Sequence, residues 1–174
     1  MTTTDRAFQL APMSRLFRGL TLMVLILPIV FFGGAALGMA TLVIPAVAIV
    51  VLYVWVWLRF RPSRFIVRAQ ALDVIWPLKR RRRLRKDIAG VRQVDMGTLR
   101  AETGWVARVG VGGLWGTFGW LWTERKGIVQ VYVTRSDGLV WLDCKDARPW
   151  LITPDNPDAF VQALKSGQPV GDSR

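Results

Sequence analysis

The longest feature in the hydrophobic pattern is a run from Gly19 to Leu58 that contains no Asp, Glu, Lys or Arg. As helix, these 40 residues would reach about 60 Å, twice a hydrocarbon core of about 30 Å. One span does not use that length, whereas two helices joined by a tight turn do. The pattern predicts spans over about 17–37 and 40–58. Gly33, Gly34 and Gly38 weaken helix and accept positive φ, so the turn is expected within Gly33–Thr41. Pro28 and Pro45 fall inside the spans, where local adjustment can satisfy the freed carbonyls. The run is too long for the apolar core of a cleaved signal peptide, and a second apolar segment follows directly.

Beyond Arg61-Pro62-Ser63 the pattern shortens to β-type runs. Arg64–Gln70 and Leu72–Leu78 read as strands rich in Ile, Val, Phe and Trp, and Leu84, Ile88, Val91 and Val94 mark one or two more. Ile128–Arg135 alternates, with Val129, Val131 and Val133 on one face and Gln130, Tyr132 and Thr134 on the other. Asp137-Gly138 then predicts a hairpin turn into a returning strand, Leu139–Cys144. A short strand near Trp150–Thr153 leads into the only convincing helix of this region. Asn156 caps it, Pro157 suits its first position, Phe160, Val161 and Leu164 form an apolar stripe, and Gly167 ends it. The expected division is a cytoplasmic N-terminal tail (1–16), a transmembrane hairpin (17–58), a β domain (62–166) and a C-terminal tail (167–174).

Charge orients this arrangement. Arg6, Arg15 and Arg18 precede the first span, Arg59, Arg61 and Arg64 follow the second, and the turn between carries none. By the positive-inside rule both termini are expected in the cytoplasm. Tyr53, Trp55 and Trp57 stand before Arg59 and Arg61, as aromatic anchors and snorkelling arginines do at the inner interface. The whole chain carries +12, and residues 59–174 hold 21 Lys/Arg against 11 Asp/Glu, a net of +10. Such a field attracts anions: phospholipid headgroups, nucleic acid or acidic proteins. The single cysteine, Cys144, rules out an intrachain disulfide, and histidine, the commonest general base, is absent.

Two segments of the domain resemble bacterial pleckstrin-homology (PH-like) domains, which often stand behind transmembrane segments. One is the Gly-rich stretch Arg108–Gly119 with the later strand Val131-Tyr132-Val133-Thr134-Arg135. The other is Ile152-Thr153-Pro154-Asp155-Asn156-Pro157-Asp158-Ala159-Phe160, similar to the family's closing strand, Pro turn and helix start. The resemblance covers about Arg64 to Ser166 and implies a bent β-sandwich or partly open barrel, capped at one end by the C-terminal helix; with the two-helix hairpin before it, the expected fold class is an α+β membrane protein, in the plasma (inner) membrane of a bacterial cell. The extreme arginine run departs from typical members.

That run, Lys79, Arg80, Arg81, Arg82, Arg83, Arg85 and Lys86, interrupted only by Leu84, is the first candidate site. It cannot all be buried, so it is expected to include a solvated turn held near the inner leaflet, where each cation contributes roughly 1 kcal/mol toward an anionic surface. The alternative is that it only reinforces topology and solubility. The second candidate is Gly104–Trp122, with Trp105, Trp115, Trp120 and Trp122. It reads either as an aromatic loop dipping into the interface or lining a ligand groove, or as two strands around a glycine bulge whose tryptophans fill the core. Asp87, after Lys86, and Asp95, three residues after Arg92, read as surface ion-pair partners. No catalytic set, metal spacing or phosphate loop stands out, so no enzyme and no cofactor is expected. The expected partners are anionic membrane lipids or another membrane protein, with nucleic acid ranked last; the sequence leaves the oligomeric state open.

Overall fold

The computed structural model describes residues 5–166. The apolar run folds as two helices, α1 (Arg15–Ala36) and α2 (Val43–Phe60), joined through Gly38, whose φ of 104° makes the turn, and a 3-10 turn at Ala40–Leu42. The Tyr53 hydroxyl donates to the Val24 carbonyl at 2.9 Å and pins the pair together. Both helices are long and apolar enough to cross a membrane, and both leave most of their side chains uncovered by the rest of the protein.

Among the described residues ten strands form two open sheets. The first has the order β1 (Arg6–Gln9), β2 (Arg64–Val67), β3 (Ala71–Ile75), β4 (Arg80–Leu84). The second combines β5 (Ile88–Val94), β6 (Val106–Gly112), β7 (Thr117–Thr123), β8 (Gly127–Val133), β9 (Leu139–Cys144) and β10 (Trp150–Ile152), in the order β5-β9-β10-β8-β7-β6. Alternation sends Phe65, Val67, Leu72 and Val74 of the first sheet against Tyr132, Val140, Leu142, Trp150 and Ile152 of the second. Helix α4 (Pro157–Lys165) closes this core with Phe160, Val161 and Leu164. It starts as expected, with the Asn156 side chain accepting from the Ala159 amide at 3.0 Å. Gly167 and the 167–174 tail lie outside the described residues.

Four expectations change. First, β8 and β9 are both strands but do not pair as a hairpin: β10 lies between them, parallel to β8 and antiparallel to β9. Thr134–Gly138 bridges the gap of about 10 Å that an intervening strand creates. Second, the outer face of the second sheet is also apolar, through Val129, Val131, Val133, Leu139, Trp141 and Leu151, and a helix missed in the sequence, α3 (Met96–Thr103), covers part of it with Leu99. Third, Asp95 is the N-cap of α3, accepting from the Thr98 amide at 2.8 Å, and Arg92 pairs with Glu102. Fourth, the segment read as an N-terminal tail contributes β1, antiparallel to β2, with Phe8 edge-on to Phe160 at 5.2 Å. The chain then crosses to the second sheet. The Ala11 amide donates to the Thr153 carbonyl, the Thr134 hydroxyl to the Ala11 carbonyl, and the Ser14 amide to the Thr134 carbonyl. Ser14 caps α1, so that helix starts directly from the domain wall.

Candidate functional site

The arginine run begins in the exposed β3–β4 turn at Lys79, as expected, but most of it is the edge strand β4, and alternation divides it between two faces. Arg80 and Arg82 share the outer face with Asp73, their neighbour on β3. Asp73 is fully buried beneath them and Arg68: Arg68 Nε lies 2.7 Å from Oδ2, Arg80 binds the same oxygen, and Arg82 Nε stands 3.4 Å from Oδ1. Burial pushes the Asp73 carboxyl up, but hydrogen bonds and charge from Arg80, Arg68 and Arg82 outweigh it and hold the group below the usual carboxylate range. Arg81 and Arg83 point the other way, past the open edge of the sandwich, with their guanidinium carbons 5.7 and 5.5 Å from the Trp150 ring centroid.

Arg85 has a different task. It is buried and donates to the Arg68 carbonyl at 2.8 Å, the Ala163 carbonyl at 2.7 Å and the Leu164 carbonyl at 3.1 Å. It thereby satisfies the last turn of α4. Its side chain is inside the fold, which removes it from the set of surface cations expected from the run. Lys86 remains exposed.

Lys79 opens the run from the β3–β4 turn, its ammonium 4.6 Å from the Trp76 ring. It stands at a cleft of about 500 Å³ between the foot of α2, the β3–β4 turn and β7. Arg59, Lys79, Arg80 and Arg81 bring positive charge to this cleft; Trp55, Trp76 and Trp120 bring aromatic faces; none of its lining residues is acidic. Burial and then the charges of Arg59 and Arg81 lower the Lys79 ammonium pKa, the response of a cation among cations. On the cleft floor Arg81 donates to Gln130 Oε1 at 2.5 Å, and burial pushes the Tyr132 phenol up to about 12 despite Arg81 nearby. An anion entering here would relieve the repulsion and meet preset donors. The Trp76 indole donates to the Phe60 carbonyl at 3.0 Å, tying the cleft wall to the end of α2.

The Trp/Gly segment is a hairpin of β6 and β7, so its strands are as read; Trp115 packs half-buried against the core, beside the buried Leu114 and Phe118, whereas Trp105, Trp120 and Trp122 stay exposed. On the face of β7 that carries Phe118, Trp120 and Trp122 remain 42 % and 48 % exposed. Trp120 lines the cleft, and Trp105 and Trp122 pair edge-on at 6.2 Å on the surface. Close approach of the strands needs glycine at Gly110 and Gly119, where a Cβ would meet the partner backbone at 2.5 and 2.8 Å. Half-buried Trp115, at the tip, stacks edge-on to Trp57 at 4.8 Å, and its amide donates to the Thr21 hydroxyl at 2.9 Å. That hydroxyl lies 3.0 Å from the Gly113 carbonyl. The tip is therefore docked on both helices. Of the other expected anchors, Arg61 covers the Trp57 ring at 4.1 Å, and Arg15 and Arg18 are exposed on the first turn of α1. Burial raises the Cys144 thiol, which keeps it protonated at neutral pH.

These features define a class: a two-sheet β domain closed by a C-terminal helix and carried on an apolar helical hairpin, with a cationic cleft at the junction. The chain matches the family of bacterial PH domains over residues 63–168, more than half its length, and it belongs to that family. No curated protein and no solved structure matches it. The family match starts after the hairpin, so neither the helices nor β1 was to be expected from it.

Proposed function

We propose that this is a non-enzymatic integral membrane protein of the bacterial plasma membrane. Its hairpin spans the bilayer, both termini face the cytoplasm, and its PH-like domain holds anionic lipid headgroups at the inner surface. PH-like domains are generally non-catalytic and bind lipids or proteins. The observation that carries the reading is the cleft of Arg59, Lys79 and Arg81, free of acids, at the foot of an exposed apolar helix. Trp55 and Trp120 flank it, as aromatic side chains do at a headgroup layer. The β1–β2 pairing supports the topology, because it requires the segments before α1 and after α2 to share one side. Lys79, Arg80, Arg81, Arg82, Arg83 and Lys86 supply the surrounding field, with Arg80 and Arg82 partly spent on Asp73.

Hydrogen exchange of the full-length protein in nanodiscs tests this. Phosphatidylglycerol discs are expected to protect the β3–β4 turn and β7 relative to phosphatidylcholine discs, and Lys79→Gln with Arg81→Gln is expected to abolish the difference. Equal protection in both lipids would remove the headgroup reading.

One observation favours a second reading, a scaffolding subunit without lipid-specific binding. Strand β6 is an open edge, and Trp105 (66 % exposed) and Trp122 (48 %) stand beside it, an arrangement suited to strand addition by a partner. Cross-linking in native membranes that captures a stoichiometric partner, lost in Trp122→Ala, would select it.

A further inference from the structure

A second cavity, of about 470 Å³, lies on the opposite face of the six-stranded sheet, between α3, strands β6–β8 and the start of α1. That volume falls in the range of about 300–1,000 Å³ that holds small ligands. Its walls are mainly aliphatic, with Leu99, Leu121, Val131, Val133 and Leu151 contributing, and Thr103, Thr117 and Ser136 add hydroxyls. The hydroxyl of Thr103, on α3, already donates to the Leu99 carbonyl at 2.7 Å. The mouth is open, with Met96 52 % and Val106 41 % exposed.

Three observations select the occupant. Phe17, in the first turn of α1, lines the cavity, so its mouth adjoins the point where the first apolar helix leaves the domain. The charged groups lining it are Arg100 and Arg135, and no acid joins them. Arg135 is held by the Asp137 carbonyl at 3.1 Å and the Pro154 carbonyl at 3.3 Å, whereas the exposed Arg100 guanidinium has no hydrogen bond or ion pair among the described residues. An aliphatic cleft with a free cation at its rim, beside a candidate membrane span, complements one hydrocarbon chain ending in an anion.

We propose that this groove binds a single acyl chain with an anionic head, the chain along the Leu121–Val131 wall and the head on Arg100. A free fatty acid and one chain of an anionic phospholipid share that chemistry. The site is separate from the cationic cleft, and it stands whether or not the cleft binds headgroups.

Photo-cross-linking of the full-length protein tests it, with diazirine-bearing palmitate in one arm and diazirine-bearing phosphatidylglycerol in nanodiscs in the other. Labelled peptides are expected within 96–106 and 117–133, and unlabelled palmitate is expected to compete while its methyl ester is not. Labelling by palmitate alone would identify a free fatty acid, and by phosphatidylglycerol alone a bilayer lipid; either supports the site. Val106→Trp, at a position 41 % exposed, is expected to block the mouth and abolish labelling, and Arg100→Glu is expected to reduce labelling roughly ten-fold while Arg100→Lys retains it. Labelling confined to α1 and α2, or indifferent to Val106→Trp and Arg100→Glu, would overturn the proposal, as would equal competition by the ester. If neither probe labels the groove it is free for a partner protein's side chains, and the acyl-chain assignment fails.

Discussion

Seven cations in one run perform at least three separate tasks, and single substitutions should separate them. Arg85→Met removes three hydrogen bonds to buried carbonyls, and a loss of about 2–4 kcal/mol in unfolding free energy is expected by chemical denaturation. Arg81→Gln, at the cleft, should change stability by less than about 1 kcal/mol yet weaken binding to anionic lipid. Asp73→Asn should lower stability by about 1–3 kcal/mol at neutral pH while releasing Arg80 and Arg82, so its binding to anionic vesicles should rise. The pH dependence follows from the depressed Asp73 carboxyl. An unfolded Asp titrates near 3.9, so the stability its ionised form contributes is complete above that value and is lost as pH falls through the lower folded value. The gap in thermal midpoint between wild type and Asp73→Asn should therefore hold at neutral pH and close in strong acid. None of this division could be read from the run alone. Composition reported the cations, but which of them turn inward depends on strand register against β3 and on the arrival of α4, 78 residues from Arg85 in sequence.

Among the elements, β1 and the β6–β7 hairpin matter most, because they bind the helices to the domain. Phe8→Ala opens a cavity against Phe160 and Phe65, and a loss of about 3–5 kcal/mol is expected, with faster amide exchange in β2 and α4. Thr21→Val removes the acceptor of the Trp115 amide and the partner of the Gly113 carbonyl. Exchange should then rise at residues 113–116 and stay unchanged in α4; a uniform rise would mean the tip is not separately docked. Strong local signals predicted their elements well: the uncharged run, the Ile128–Arg135 alternation, the Asn156-Pro157 helix start. Weak ones did not. Helix α3 buries only Leu99 and Thr103, too sparse a stripe to stand out, and four residues of β1 carry one buried side chain. The expected β8–β9 hairpin failed because a turn signal shows where the chain reverses, and pairing partners are chosen by the sheet as a whole.

At the scale of the whole molecule, both ends of the hairpin return to one sheet through the β1–β2 pairing, so a spanning hairpin would place both ends on one side. Reporters fused before Asp5 and after Ser166 are expected on the same, cytoplasmic, side; readings on opposite sides would contradict the β1–β2 pairing, and periplasmic readings at both ends would contradict the charge rule. Binding to anionic membranes through the cleft should weaken steadily with salt, since exposed charges are screened over about 10 Å at 0.1 M. Any acyl-chain binding in the second groove should depend on salt far less.

The uncharged run, the placement of arginines around it and the period-two segments behind it determined, without tertiary information, that two apolar helices carry a β domain of net positive charge. Those properties are local sums of burial and charge, and a linear chain displays them directly. Which arginine faces the cleft, which caps α4, and whether the tryptophans lie inside or outside depended on contacts between residues distant in sequence. Only the assembled sheets decide those, because alternation assigns a side chain to a face and the opposing layer decides whether that face is covered.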